Sequence, residues 1–459
     1  MTTLLKRGVI RSFAIIAGTI ALGAGPNCCG RPAVVQSMRH DATDRHPVSG
    51  EWRSTTAAAS VNPLSANDAS VPQGPNPAVS ESACGAALGQ LTVEPTVTRM
   101  AMELAQLQRQ LLHEAVVDVE TQPHDVRVSS VMREVLPQLK QHSREIVRQL
   151  IAAFPTAMPD CDGSITQRII AILKSSGVTM SDESAEVGAL AVQIELVDAV
   201  PPRRWFVALA FTLPCGDDGS VYVFEQNDKE TTLAIAVESN GYSSLRQAQL
   251  GAVGKLSPID PAGRWFLVTT HGQAWCTSTW LGLRYRVFER GPTFDHPVLL
   301  LDERSTANWN GDGGAEIQTS ADGFSLRFVS WDRMSGDITR PHIRKYLRKG
   351  SHFERVQPFV ARARDLPDEW VQLPWSSASA LCASGTQGTL RQWHQRLASA
   401  VKTEPIVFEK QTPDTDAARM QVTFACKGCR LLADQFTFAL VMHDAGHRIA
   451  SITSNYPSP

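Results

Sequence analysis

The chain has 459 residues, of which 43% are hydrophobic and 20% are charged, and its formal net charge is −2. At roughly 150 residues per domain, this length indicates two or three domains. The balance of apolar and charged residues excludes a wholly disordered protein. Because the chain has no broad excess of cations to neutralise a phosphate backbone, we predict no nucleic-acid partner.

The N-terminus has the three parts of a secretory signal peptide. Lys6, Arg7 and Arg11 precede an apolar stretch at residues 13–22, and small residues follow it. We therefore interpret residues 1–23 as a cleaved signal and predict an exported protein, periplasmic or extracellular. The apolar stretch is shorter than the roughly 20 residues that span a bilayer, and no later stretch without charges reaches that length. We expect no transmembrane segment.

Two adjacent cysteines, Cys28 and Cys29, follow the signal and suggest a lipid anchor. The residues before them, Gly25, Pro26 and Asn27, do not match the aliphatic and small residues of a lipid-attachment signal. We therefore favour a protein without this anchor. The chain has nine cysteines, and an oxidising compartment makes disulfides their default state. Because nine is odd, at least one cysteine is unpaired or bonded to another molecule.

The residues that follow the signal predict a linker and then a helical region. Residues 24–95 have too little apolar surface to offset chain entropy, so we predict a disordered linker. In residues 96–180, the leucines from Leu104 to Leu111 recur at the three- and four-residue spacing of a helix face. Pro137 should kink or restart the second helix of this region.

Alternating aromatic, β-branched and polar residues begin near residue 186 and predict antiparallel strands. We assign residues 186–360 to an all-β domain, either a sandwich or partial propeller-like meanders, in which Asp322-Gly323 forms a hairpin turn. A connecting segment (residues 361–384) and a small α+β domain (residues 385–459) follow. The predicted fold class is thus multidomain α+β, with a helical N-terminal region, an all-β middle and an α+β C-terminus.

An internal repeat supports stacked meanders in the β-domain. The sequence Arg-Trp-Phe-Val at residues 204–207 recurs as Arg-Trp-Phe-Leu at residues 264–267, and a shorter copy begins at Arg327. Repeated antiparallel units bury a face against their neighbours. Since a cysteine follows each of the first two copies, we predict that Cys215 and Cys276 form a disulfide between equivalent strand ends.

A ligand surface is predicted from aromatic residues of the β-domain. Indole faces stack on sugar rings, and Trp is favoured at the centres of binding interfaces. The alternative is that these Trp side chains fill the core of the β-domain, and we favour it. The candidate residues are His271, Trp275, Trp280, Trp309 and Trp331.

Residues 308–316 predict a calcium loop. Side-chain oxygens stand at positions 1, 3, 5 and 9 of this segment, which suits a hard cation. The candidate ligands are Asn308, Asn310, Asp312 and Glu316. The segment resembles the calcium loop of FG-GAP and VCBS propeller repeats, which implies the same ion. A turn built by Asn-Gly and Asp-Gly explains the same residues, and we favour it.

Two cysteines and two histidines have the spacing of a zinc site. Cys426, Cys429, His443 and His447 follow the pattern C-x2-C-x13-H-x3-H. Residues 436–442, however, alternate like a strand, whereas a zinc finger places both histidines on a helix. In an exported protein the thiols are also prone to oxidation, so we favour a disulfide or free thiols. No cofactor is expected beyond these calcium and zinc alternatives.

From Arg264 to Trp393 the chain is similar to a group of uncharacterised exported bacterial proteins. The similar blocks are Arg264-Trp265-Phe266-Leu267, Arg284-Tyr285-Arg286-Val287-Phe288, Asp322-Gly323-Phe324, Arg355-Val356-Gln357-Pro358 and Asp368-Glu369-Trp370. The resemblance implies export and a β-rich body, and it carries no catalytic residues.

These observations favour an exported, non-enzymatic protein of the cell envelope whose β-domain binds a glycan or a protein partner. The chain lacks the nucleophile elbow, the zinc-protease helix motif and the phosphate-binding glycine loop. The alternative is a secreted hydrolase, in one version metal-assisted, with carboxylates gathered from Asp302, Asp312 and Glu316.

Overall fold

Four antiparallel sheets, each a meander of four strands, form most of the structure. All described residues belong to one unit of the chain, Val79–Pro459. The predicted signal peptide and all but the last two residues of the predicted linker lie outside the described part. The computed structural model describes residues 94–454 except 115–127, 155–161, 183, 185, 199–201, 214–215, 229, 240–247, 274–279, 309–314, 331–339, 357–358, 403, 405, 415–417, 427–434 and 444–445.

Three helices precede the first sheet. Ser129 caps the second helix, because its hydroxyl accepts a hydrogen bond at 3.1 Å from the backbone N–H of Met132. This helix continues through Pro137, so the predicted restart is wrong. Buried residues on both sides of the proline pack into one core, which offsets the missing hydrogen bond. The helices are α1 (Pro95–Glu114), α2 (Ser130–Ala153) and α3 (Asp162–Ser175).

Sheet 1 is covered on both faces. Successive residues of a strand point to opposite sides. In the second strand, Trp205 and Phe211 pack with the three helices, whereas Phe206 packs against sheet 2. Burial on both faces explains why this strand is almost continuously hydrophobic. The strands are β1 (Leu190–Asp198), β2 (Arg203–Leu213), β3 (Gly216–Gln226) and β4 (Thr231–Val237).

Sheet 2 lies between sheets 1 and 3. Its strands are β5 (Gln249–Leu256), β6 (Leu267–Gln273), β7 (Trp280–Glu289) and β8 (Val298–Asn308). Leu267 and Phe288 pack with sheet 1, whereas Phe266 and Tyr285 pack with Phe324 of sheet 3. The helices and three sheets therefore form successive layers. The strands of sheet 3 are β9 (Glu316–Thr319), β10 (Gly323–Ser330), β11 (Arg340–Lys349) and β12 (His352–Val356).

The C-terminal part combines helices with sheet 4. Trp370, Trp393 and Phe438 share its hydrophobic core. The predicted connecting segment contains the first two of these helices, so it contributes to this core. The elements are α4 (Leu366–Gln372), α5 (Trp375–Ala378), α6 (Gln387–Ala400), β13 (Ile406–Pro413), β14 (Arg419–Cys426), β15 (Gln435–His443) and β16 (Gly446–Ser454).

The predicted combination of helices with antiparallel sheets is confirmed at this level. The repeated segments at 204–207 and 264–267 and the copy at Arg327 lie in, or lead into, the second strand of sheets 1, 2 and 3. β9 and β10 also form the predicted hairpin. Its glycine, Gly323, does not have a positive φ; instead, a Cβ there would collide with the carbonyl oxygen of Tyr346. None of the helices described has the length and apolar composition needed to cross a membrane.

Candidate functional site

A group of basic residues lies on the face of sheet 2 that is turned towards sheet 1. On β6, Thr269 and His271 lie on one face, because they are two residues apart. Arg286 of β7 stands opposite Thr269, and Arg284 stands opposite His271. Arg304 of the neighbouring β8 pairs with Arg284. We call these five residues the arginine cluster.

Three polar atoms of the arginine cluster are buried without a hydrogen-bond partner among the described residues. They are Thr269 Oγ1, His271 Nδ1 and Arg286 Nε. Thr269 is 1% exposed and His271 is 5% exposed. A buried polar atom without a partner costs about 1–3 kcal/mol, so folded proteins leave few of them. Three on one face of two adjacent strands point to an acceptor group that binds there.

The positive charge of the cluster is only partly neutralised. Arg284 makes a two-pronged ion pair with Asp302, in which Nε lies 2.7 Å from Oδ1. This pairing lowers the pKa of Asp302. Within the described residues, neither Arg286 nor Arg304 forms an ion pair. The cluster therefore carries an excess of positive charge.

The pKa values of the cluster show the cost of this arrangement. Burial, together with the charges of Arg286 and Arg284, lowers the pKa of His271 to about 3, so its imidazole is neutral at pH 7. Burial and the charge of Arg284 lower the pKa of Arg286 to about 10. Since a neighbouring negative charge would reverse these shifts, a bound anion is the natural complement.

Gln249 holds Arg286 in place. Its side-chain oxygen accepts a hydrogen bond from Arg286 Nη2 at 3.2 Å, and its amide nitrogen donates to Ser239 Oγ at 3.1 Å. Ser239 in turn accepts, through its backbone carbonyl, a bond from the buried Lys140 of α2. Lys140 pairs with Asp218 at 2.6 Å. This chain of contacts connects the cluster to the helical layer and restricts the guanidinium position.

A second buried polar group connects sheet 3 with α4. Arg340 contacts both carboxylates of Asp368 and Glu369, the latter with Nη2 2.7 Å from Oε2. Arg355 contacts the other oxygen of Glu369, also at 2.7 Å. Burial raises the pKa of Glu369, but the charge of Arg355, the nearby imidazole of His342 and the charge of Arg340 lower it well below its usual range. The carboxylate is thus charged and held from two sides.

Ser330 and His342 adjoin this group. Ser330 Oγ lies 2.8 Å from His342 Nε2, and His342 Nδ1 lies 3.6 Å from Glu369 Oε2. The His342 ring stacks on Phe328 at 4.9 Å between centroids. Serine, imidazole and carboxylate therefore stand in the order used by serine hydrolases. Both Ser330 and His342 are buried, however, and the last distance exceeds a normal hydrogen bond.

Comparison with known proteins assigns no family. No family model matches the chain, and no curated protein is significantly similar to it. The two polar groups, the arginine cluster and the ion pairs around Glu369, are therefore the features that bear on function.

The structure describes the surroundings of one predicted aromatic-surface residue. His271 is part of the arginine cluster. Trp280 begins β7, but its side chain lies outside the described residues, as do Trp275, Trp309 and Trp331. Thr269, Arg284, Arg286 and Arg304 are absent from the sequence-based candidates. Two arginines two residues apart in a strand share a face, and this spacing could have indicated the site.

Glu316 is the one predicted calcium ligand whose side chain lies among the described residues. Glu316 begins β9, is exposed and accepts a hydrogen bond from Gln318 at 2.8 Å. Asn308 ends β8 with its side chain undescribed, and Asn310 and Asp312 lie outside the described part. Among described residues, no three His, Cys, Asp or Glu side chains are grouped to hold a metal.

Three of the four zinc candidates, Cys426, His443 and His447, lie on described strands. Cys426 ends β14 and is disulfide-bonded, so its sulfur is not a thiolate ligand. Cys429 falls outside the described residues. His443 and His447 lie on the β15–β16 hairpin, as the strand-like alternation predicts. The predicted partners Cys215 and Cys276 also lie outside the described part, and their disulfide stays a prediction.

Proposed function

We propose that this chain is an exported, non-enzymatic protein of the cell envelope whose β-rich part binds an anionic glycan at the arginine cluster. The observation that carries the proposal is the set of three buried polar atoms without partners beside Arg284 and Arg304. An anion would supply the missing acceptors and balance the excess charge. Export is supported by the signal-like N-terminus.

The cluster residues have separate tasks in this proposal. Arg286 Nε and the Thr269 hydroxyl donate to ligand oxygens, and His271 donates once its Nδ1 carries a proton. Arg304 attracts the ligand from solvent because it is exposed. Arg284 is held by Asp302 and contributes charge without changing position. Hydrogen bonds to charged groups contribute about 1.5–3 kcal/mol each, so the loss of one should weaken binding measurably.

Calorimetric titration of the full chain with soluble envelope polysaccharides tests the proposal. We expect acidic polysaccharides to bind, neutral ones not to bind, and Arg286→Gln to weaken binding at least tenfold. Arg327→Gln is the matched control, because Arg327 is an exposed arginine on β10 away from the cluster. Equal binding of acidic and neutral polysaccharides, or unchanged binding by Arg286→Gln, would refute the proposal.

The finer domain organisation is part of the same proposal. The stacked sheets support a layered sandwich for residues 186–360, and the separate core that Trp370 of the connecting segment shares with sheet 4 supports a distinct C-terminal α+β domain that begins before residue 385. Limited proteolysis should cut between these parts before it cuts within them. Cleavage within either domain at the same rate as cleavage between the two domains would contradict these boundaries.

A second candidate, a secreted hydrolase, is favoured by Ser330, His342 and Glu369. His342 would accept the proton of Ser330 as the serine oxygen attacks a carbonyl carbon, and would pass it to the alcohol or amine that departs as its bond to that carbon breaks. Water would then hydrolyse the acyl-serine ester, which releases the acid and restores the serine hydroxyl. The metal-assisted version has less support, because Asp302 is already held by Arg284. Covalent labelling by a fluorophosphonate that is lost in Ser330→Ala would establish this candidate. Absence of labelling in the folded protein would exclude a reactive Ser330.

A further inference from the structure

We infer that the arginine cluster selects a phosphoryl group, carried as the free ion or on a sugar, over sulfate esters and carboxylates. This inference rests on the proposed function, since it concerns the same site. It names the chemical class of the ligand, which the presence of positive charge alone does not determine. Two observations carry it: the local charge and the arrangement of the donors.

The local charge matches a dianion. Among the described residues, the three arginines Arg284, Arg286 and Arg304 share a single carboxylate, Asp302, and the imidazole of His271 is neutral, so the excess is two positive charges. The charged groups behind Gln249 add nothing, because Lys140 is paired with Asp218. A phosphomonoester carries close to two negative charges at pH 7, whereas a sulfate ester and a carboxylate carry one.

The donors match a group with three terminal oxygens. Thr269 and Arg286 stand directly opposite each other on adjacent strands, and His271 lies one position further along the same face. Their three partnerless atoms belong to three side chains on the same face of two adjacent strands. A phosphoryl group offers three oxygens, each of which can accept from a different side chain. A carboxylate has only two oxygens in one plane, so one donor would stay without a partner.

Matched ligands test the inference. Glucose 6-phosphate, glucose 6-sulfate and glucuronate share a sugar ring and differ in the acidic group. Calorimetric titration of the full chain should show at least tenfold tighter binding of the phosphate than of the other two. Inorganic phosphate distinguishes the sources: affinity equal to that of the sugar phosphate indicates the free ion, and weaker affinity indicates a sugar-borne group. Both results support phosphoryl chemistry.

Arg304→Gln provides a second, independent measurement. This exposed residue supplies one of the two excess charges, so its removal should reduce the preference for glucose 6-phosphate over the sulfate to less than threefold while the sulfate still binds. Equal affinity of the unmodified protein for all three sugars would overturn the phosphoryl inference and leave the proposed anion site intact. Failure of all four anions to bind would overturn the inference and the anion site together.

Discussion

Replacement of Glu369 by glutamine should destabilise the protein strongly, because Glu369 is the point at which sheet 3 and α4 meet electrostatically. One carboxylate oxygen contacts Arg355 and the other contacts Arg340, each at 2.7 Å. Glutamine has nearly the same shape but no charge. The change therefore removes the charge and leaves the packing almost unaltered.

The expected loss follows from the charges that stay behind. Breaking a buried ion pair by neutralising one partner costs about 3–5 kcal/mol, because the other charge stays buried. Arg340 keeps Asp368 as a partner in the variant, whereas Arg355 loses its ion pair with the Glu369 carboxylate. We therefore expect the lower end of this range, about 3 kcal/mol in the free energy of unfolding.

Urea unfolding followed by tryptophan fluorescence measures this loss, because buried Trp370 lies on the same helix. Glu316→Gln is the control, since Glu316 is exposed and should change stability by less than about 0.5 kcal/mol. A double-mutant cycle of Glu369→Gln with Arg355→Met should give a coupling energy above about 1 kcal/mol. If Glu369→Gln costs no more than the control, the ion pairs do not stabilise this junction and the reasoning is wrong.

Three further predictions address the whole chain. The free energy of unfolding should fall as pH drops below about 6.5, because His271 takes up a proton in the unfolded chain near that pH, whereas its pKa in the folded protein is about 3. The depressed pKa of Glu369 should lower the free energy of unfolding further below about pH 4.3. Constant stability between pH 7 and 4 in urea titrations would contradict this. Gly254→Ala should lower stability by about 1–3 kcal/mol, since a Cβ there would lie 2.6 Å from the Phe206 ring. Gly388→Ala in α6 is the control, because a Cβ there meets nothing within 4 Å and should not lower stability. Secretion followed by intact-mass analysis should show a mature chain that starts near residue 24, and a product that retains Met1 would refute the signal peptide.

Local patterns predict the elements whose environment is regular. β2 and β7 have runs of aromatic and β-branched residues, and β15 has clear alternation, so periodicity alone indicates these strands. β5 has the sequence Gln-Leu-Gly-Ala-Val-Gly-Lys-Leu, which is poor in strand-forming residues. Gly254 is required there because sheet 1 approaches closely, and a single strand's sequence does not reveal what packs against it.

The candidate site also has one part that local sequence indicates and another part that only the pairing of strands decides. His271 stands out in the sequence as a histidine among aromatic residues, and Arg284 and Arg286 stand two residues apart in one predicted strand. Their convergence depends on the register of β6 against β7, which pairs Thr269 with Arg286. The register is set by the buried faces and turns of the whole meander, so the sequence of either strand alone does not predict it.

Composition, the charged and apolar N-terminus and the two-residue alternation suffice to predict a β-rich chain with an export signal. Those features depend on neighbours along the chain, which the amino-acid order contains directly. Strands and helices far apart in the chain decide which arginines form an ion pair with a carboxylate. The same long-range contacts decide which arginines keep a positive charge that attracts a ligand. Arg340 forms ion pairs with Asp368 and Glu369 of α4, whereas within the described part of the chain Arg286 hydrogen-bonds only to the side-chain amide of Gln249. Burial then makes that difference large, because a charge without a counter-charge is costly once water is excluded.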